Sequence, residues 1–309
     1  MPGRVVAAVV LLVVAATCIG AAEQAFTIGV LRRDGVVIPF AAFDGKNWKP
    51  VWPDSAMDVE VPIDLRNVPR RWWGPVGPLT TWEAHTSAPE PVTLHVRQPD
   101  LVSLPCRRQI GLRTDYRPAE PPPSFAARPY PKDGLVVSPP QQVERVEVLG
   151  ARSPEWTAFA PFVTDAFNKT ERSIAAEQGH PVISTSEREA TNPLIEAIYA
   201  YGTDPRIFYV EAAREYWSEP KINECVGLAF GHLWLLREGG VVKPMNRAVI
   251  VQNCDRSDTN YMLPLGVLAA GGRFYWVAQL AGWNSESYAV FEITRTGAVE
   301  VVGRLGGAC

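Results

Sequence analysis

The nine residues LRRDGVVIP (31–39) return near the other end of the chain as LREGGVVKP (236–244), with Leu31/Leu236, Arg32/Arg237, Gly35/Gly240, Val36/Val241, Val37/Val242 and Pro39/Pro244 identical. In each copy a glycine beside an acidic residue or a second glycine separates two apolar runs. A tight hairpin turn needs positive φ, which glycine adopts without steric penalty, so Asp-Gly and Gly-Gly in this setting specify antiparallel strand pairs. A third copy, LGVLAAGGRFYWVAQLAG (265–282), aligns without gaps to IGVLRRDGVVIPFAAFDG (28–45), and VFEITRTGAVEVVG (290–303) has the same strand–glycine–strand shape. The expectation is a mainly β, antiparallel, hairpin-rich fold. The related hairpins are expected to share one layer, with 28–45 and 265–282 close in space where the first and last strands of a closed architecture meet.

The stretch AAFDGKNWKPVW (41–52) resembles the outer strands of β-propeller blades, where an Asp-Gly turn precedes a Trp packed between blades. The resemblance implies a propeller-like arrangement, with a β-sandwich as the alternative; no Trp-Asp or kelch signature accompanies it. Further strands are expected at 79–86 and 91–97, joined by a Ser-Ala-Pro-Glu turn, and at 142–150. Residues 118–140 hold eight prolines in twenty-three positions. Proline lacks an amide donor, so this stretch reads as an extended strap and not as a central strand or helix. It divides an N-terminal hairpin region (23–117) from a β-rich region (141–309), which are either separate or one continuous domain. One helical excursion is expected near 154–178, where Trp156, Phe159, Val163, Phe167 and Ile174 recur near a 3.6-residue period. Pro161 interrupts that pattern, so the helix is expected to kink there or to begin there.

Residues 1–22 read as a secretory signal. Arg4 precedes the apolar stretch VVAAVVLLVVAATCI (5–19), and Gly-Ala-Ala (20–22) supplies the small residues at a cleavage site. The apolar stretch is shorter than the roughly 20 residues that span a bilayer, and no later segment is long and apolar enough to do so. The mature chain is therefore expected to be exported, periplasmic or extracellular, with no membrane span. Of five cysteines, Cys18 falls in the leader, leaving Cys106, Cys225, Cys254 and Cys309. An even number in an exported chain favours disulfides. Cys225 and Cys254 flank one expected hairpin and form the preferred pair; the pairing of Cys106 and Cys309 stays open. No CxxC and no His spacing suggests zinc.

The chain has 30 basic and 33 acidic residues, with no basic stripe, which argues against a nucleic-acid partner. No Walker loop, dinucleotide fingerprint or nucleophile elbow occurs, and no cofactor is implied. Three local constellations carry candidate chemistry. In PLIEAIYAYGTDPRIFYVEAAREYW (193–217) a hairpin with Tyr201 opposite Arg206 places Glu196 opposite Glu211, the carboxylate pair a glycoside hydrolase needs. Trp72 and Trp73, beside Arg70 and Arg71 in a Pro/Gly-bounded loop, suggest a stacking platform for sugar rings. Asp255 and Asp258 in NCDRSDTNY (253–261) are candidate calcium ligands, although the spacing is not that of an EF-hand and suits an ordinary turn. Trp48, Trp82, Trp234, Trp276 and Trp283 fall in strands or turns and read as core. The leading functional expectation is a secreted, non-catalytic binding or interaction module for a polysaccharide or an extracellular protein. The alternatives are an extracellular carbohydrate-active hydrolase using the Glu pair, and a structural subunit assembling through strand edges.

Overall fold

The computed structural model describes residues 24–53, 68–104, 107–122, 130–177, 183–217, 225–283 and 285–308. Residues 1–23, on which the expected secretory signal falls, lie outside them, as do Cys106, His180 and Cys309. The fold is mainly β and antiparallel, as the hairpin phrases require.

The first hairpin joins β1 (Phe26–Arg32) to β2 (Val36–Phe43). The amide of Gly35, at φ 81°, closes the turn by donating to the Arg32 carbonyl at 2.9 Å. The short β3 (Trp48–Pro50) pairs with the far end of β2, and one helical turn, α1 (Arg70–Trp73), follows. β4 (Thr81–Thr86), β5 (Val92–Leu104), β6 (Arg107–Thr114) and β7 (Lys132–Ser138) complete a sheet in the order β1-β7-β4-β5-β6-β2-β3. Because β1 also pairs with β2, six of these strands close into a barrel. Every side chain of β1 and β2 is buried. Leu31 and Val37 fill the barrel with Trp73, Trp82 and Leu112, while Phe26, Ile28, Val30, Ile38 and Phe40 face outward onto a second sheet. Two covered faces account for the continuous apolar runs of these strands, where a half-solvated strand would alternate.

The remaining strands form two four-stranded meanders. Between the barrel and the meanders lie β8 (Val143–Glu144) and β9 (Glu147–Val148), then α2 (Pro154–Glu177) and α3 (Thr185–Ala190). The first meander comprises β10 (Leu194–Gly202), β11 (Arg206–Trp217), β12 (Cys225–Glu238) and β13 (Val241–Gln252). The second comprises β14 (Tyr261–Ala270), β15 (Arg273–Ala281), β16 (Ser285–Ile293) and β17 (Ala298–Ala308). β9 adds to the edge of β10 and β8 to the edge of β14, giving two five-stranded sheets. One face of the β14–β17 sheet packs on the barrel through Leu268, Tyr275, Val277 and Val290. Its other face packs on the β10–β13 sheet through Trp276, Met262 and Trp234. The outer face of the latter is covered by Phe159, Val163 and Phe167 of α2.

This layering revises three expectations. The meanders stack face to face as propeller blades do, but α2 ends the stack on one side and the barrel ends it on the other. No ring of blades forms among the described residues. The related hairpins accordingly occupy three different sheets. Segments 28–45 and 265–282 do meet, in adjacent layers, with the rings of Phe43 and Tyr275 6.2 Å apart, and just past the first segment Arg273 donates to the Lys46 carbonyl at 2.7 Å. Within the proline-rich stretch, β7 is an interior barrel strand between β1 and β4. The eight prolines all lie outside KDGLVVS (132–138), so its amides are free to pair on both sides.

The helix of 154–177 is uninterrupted and contains Pro161. Pro161 and Thr157, whose carbonyl loses its helical donor, both face solvent, so water can satisfy that group. α3 carries a capping box, with Ser184 and Glu187 each bonding the other's backbone amide.

Candidate functional site

The β10/β11 hairpin forms as the sequence suggests, in a different register. Gly202 pairs with Arg206 and Tyr201 with Ile207, so the connection is one residue tighter than expected, and Glu211 faces Ala197 instead of Glu196. The register shifts between Ile195 and Ala197, and beyond it Ile195 pairs with Ala212. Glu196 is the extra residue of a bulge. Alternation would send Glu196 and Ala197 to opposite faces of the sheet; the bulge turns both toward one cavity. The two carboxyl groups therefore share a site although they are not cross-strand partners.

That cavity, about 730 Å³, opens where the two meanders separate at one end. β9 pairs with β10 only at Tyr199 and Ala200, and β8 with β14 only at Val267 and Leu268. The neighbouring ends of β10 and β14, which these short strands leave uncovered, frame the opening. Glu196, Tyr199 and Glu211 line one wall, Tyr261 and Leu263 of β14 the opposite wall, and Asp255 and Arg256 a third. Trp283, just after β15, stands at the rim with 62% of its surface exposed.

Glu211 is buried, and its Oε1 accepts the amide of Met262 at 2.6 Å, tying one sheet to the other. Burial pushes its carboxyl up to about 7, helped by the charge of Glu196; hydrogen bonds from the Met262 amide and the Tyr209 hydroxyl act in the opposite direction. The site thus holds a carboxyl that changes protonation near neutral pH. Burial, with the nearby Glu211 charge, raises the Tyr199 hydroxyl to about 12, so this group stays a neutral donor.

Arg256 organises the third wall. Its guanidinium contacts Glu196 at 2.8 Å, Glu215 at 2.7 Å and the Tyr261 hydroxyl at 2.7 Å. Burial works against its charge, but hydrogen bonds to Glu215, Tyr261 and Glu196 outweigh that and raise its pKa above the ordinary arginine value. Arg256 has φ 59°, a left-handed conformation uncommon for a side chain of this size. The Cys225–Cys254 disulfide, the pair expected from the sequence, anchors the loop two residues before it.

The other sequence candidates lie elsewhere. Trp73 is only 2% exposed and sits in the barrel core, while Trp72 is half-buried against Trp52 with ring centroids 5.5 Å apart. α1 turns Trp73 inward and leaves Arg70 and Arg71 exposed, so neither indole of the expected platform is largely open. Asp255 and Asp258 line different cavities, and Asp255 Oδ1 accepts the Ser257 amide at 3.0 Å, a turn-forming role. Among the described residues no group of three His, Cys, Asp or Glu converges as a metal site.

Sequence reasoning missed Arg256, Tyr261 and Trp283. The polar loop 253–261 drew attention to its aspartates, yet its arginine does the organising. In sequence Trp283 reads like Trp48, Trp82, Trp234 and Trp276; those four are buried and Trp283 is not. No protein-family model matches this chain, and neither the curated proteins nor the solved structures include a significant match to it.

Proposed function

We propose that the chain is an exported binding protein whose cavity between the two meanders takes a neutral, hydroxyl-rich ligand, the end of a saccharide. The observation that carries this reading is the combination of an exposed indole, Trp283, with a buried, protonatable Glu211 in one cavity. A pyranose presents an apolar face and an edge of hydroxyls. The face would stack on Trp283, contributing on the order of 1 kcal/mol. The hydroxyls would meet Glu211, Tyr199, Asp255 and the Glu196–Arg256 pair, which supplies donors and acceptors in fixed positions. Arg256 offsets one of the two carboxylates it binds, Glu196 and Glu215, and Asp255 adds another, so the cavity keeps a net negative charge that disfavours anionic ligands and admits a neutral, hydroxyl-rich one. The apolar stretch 5–19, read as a secretory signal, and the disulfide, which persists in oxidising compartments, are what support export. No helix among the described residues is long and apolar enough to cross a membrane.

The test is a glycan array probed with the wild-type protein and with Trp283→Ala. Retention by the wild type that Trp283→Ala weakens about fivefold, the loss that about 1 kcal/mol corresponds to, is expected with an unchanged melting temperature, since an exposed ring contributes little to the core. An array on which the wild type retains nothing, or on which Trp283→Ala retains as much, would overturn the proposal.

A second reading, glycoside hydrolysis, is favoured by the same Glu211. A carboxyl held near pH 7 beside a second carboxylate is the pairing of general acid and base or nucleophile that this chemistry uses. Arg256 weighs against it, because Glu196 must be free to act on water or on the sugar. Release of 4-nitrophenol from 4-nitrophenyl glycosides, abolished in Glu211→Gln, would establish the hydrolase; its absence with glycan retention intact leaves the binding protein.

A further inference from the structure

The polar side of the large cavity offers more acceptors than open donors. Three carboxyl groups reach it from three different elements: Glu196 from the bulge in β10, Glu211 from β11 and Asp255 from the loop after β13. Arg256 is the one cation lining it among the described residues, and its guanidinium is already committed. It holds both oxygens of Glu196, at 2.8 and 3.0 Å, and reaches Glu215 and the Tyr261 hydroxyl as well. Asp255 is placed differently. Its Oδ1 accepts the Ser257 amide, and no basic side chain pairs with it among the described residues. Glu196, Glu215 and Asp255 thus stand against a single guanidinium, so the wall stays negative even while Glu211 keeps its proton.

A hydroxyl and an ammonium at the edge of a pyranose ask for different surroundings. The hydroxyl gives one proton and accepts in return, whereas the ammonium gives three and accepts none. A wall of carboxyl oxygens with few open donors suits the second better. An ammonium there also gains Coulomb attraction, which is screened less in a partly enclosed cavity than on an open surface. An acetamido group fits least, being uncharged and carrying a carbonyl that needs a donor. We propose that the cavity selects an amino sugar, a saccharide end with a free amine on the ring, over the same ring bearing a hydroxyl or an acetamido group. The inference rests on the saccharide reading for the ring and goes beyond it in the charge: a neutral ring is admitted, and an ammonium is preferred. A lysine side chain offers the same cation without the ring. It is the poorer match, because its flexible stem loses rotamer entropy on binding and gives the exposed indole of Trp283 no flat face to stack on.

Calorimetric titration of the whole protein with the tetramers of chitosan, chitin and cellulose tests this. The three share one linkage and differ in carrying an ammonium, an acetamido group or a hydroxyl. At mildly acidic pH, where the ring amine is protonated, the chitosan tetramer is expected to bind roughly tenfold more tightly than the cellulose tetramer. The chitin tetramer should bind no more tightly than the cellulose tetramer. Raising the salt toward about 1 M should shrink the margin. Asp255→Asn, at an exposed position, keeps an acceptor for the Ser257 amide and should cut the chitosan-to-cellulose ratio about threefold, the scale of one exposed charge pair. Trp283→Ala should weaken both tetramers and leave the ratio unchanged. Cellulose tetramer binding as tightly as chitosan tetramer, or a preference for the chitin tetramer, would overturn the inference and leave the saccharide reading standing. Tetralysine binding as tightly as the chitosan tetramer would overturn it too, since charge alone would then be read. No binding of any tetramer by the folded wild type would also overturn it, and the glycan array then judges the saccharide reading by itself.

Discussion

Lys132 on β7 and Glu286 on β16 form an ion pair at 2.7 Å, with only 2% and 1% of their side chains exposed. The pair joins the barrel to the sheet packed on it. Lys132 also donates to the Tyr130 carbonyl at 2.9 Å, and the Tyr288 hydroxyl donates to Glu286. Burial lowers the Lys132 pKa to about 8, with attraction and a hydrogen bond from Glu286 working the other way. Desolvation of two charges offsets most of their attraction, so the pair adds little net stability, but stranding one member is costly. Lys132→Met should therefore lose about 3–5 kcal/mol in urea unfolding, and Lys132→Met/Glu286→Met should recover at least half of that. A double variant no more stable than the single one would show that packing, not charge, is lost.

Glu211 should make stability depend on pH in a defined direction. Its folded pKa of about 7 lies above the ordinary value of 4.5, so between these values the folded state holds the proton more tightly than the unfolded one. This contribution is fully present below about pH 4.5 and is lost as pH rises through 7. For a buried group the shift corresponds to up to about 3 kcal/mol. Glu211→Gln keeps a neutral acceptor for the Met262 amide and removes the titration. Its melting temperature should thus change less between pH 5 and pH 8 than that of the wild type. Parallel curves for the two proteins across that range would refute the assignment.

The contrast between what the chain declares and what it hides is physical. Hairpins were legible because Gly240 and Gly272, both at positive φ, sit in turns that few other residues tolerate. Register was not, since tightening one connection by a residue cost nothing that composition records, and the bulge at Glu196 absorbed the difference. β7 was concealed because prolines on both sides of 132–138 dominate any window that includes it. The capping box of α3 is written in Ser-Thr-Ser-Glu (184–187), but the helix it starts is only six residues long and too short for a periodic apolar pattern to mark it. Trp48 and Trp283 both follow a glycine in a polar turn, yet one is buried by Phe26 and Tyr275 and the other stands at a cavity rim. Only the neighbouring layer decides between them.

The Cys225–Cys254 disulfide should support the site as well as the fold. It closes the ends of the β12/β13 hairpin over a separation of 29 residues, for which chain entropy gives about 3–4 kcal/mol. Cys254 also begins the loop that presents Arg256 in its left-handed conformation. That conformation is otherwise held by two backbone contacts, Arg256 amide to Asn253 carbonyl at 3.3 Å and Thr259 amide to Arg256 carbonyl at 3.1 Å. Cutting the anchor lets the loop relax toward ordinary φ values and draws the guanidinium away from Glu196 and Glu215. Cys225→Ser/Cys254→Ser should therefore lose about 3–4 kcal/mol in chemical unfolding. It should also show faster amide exchange at Arg256 and Thr259 under conditions where the β14 and β15 amides remain protected. Exchange that accelerates equally throughout the sheets would mean the disulfide acts on global stability alone, and the link between the bond and the cavity wall would fail.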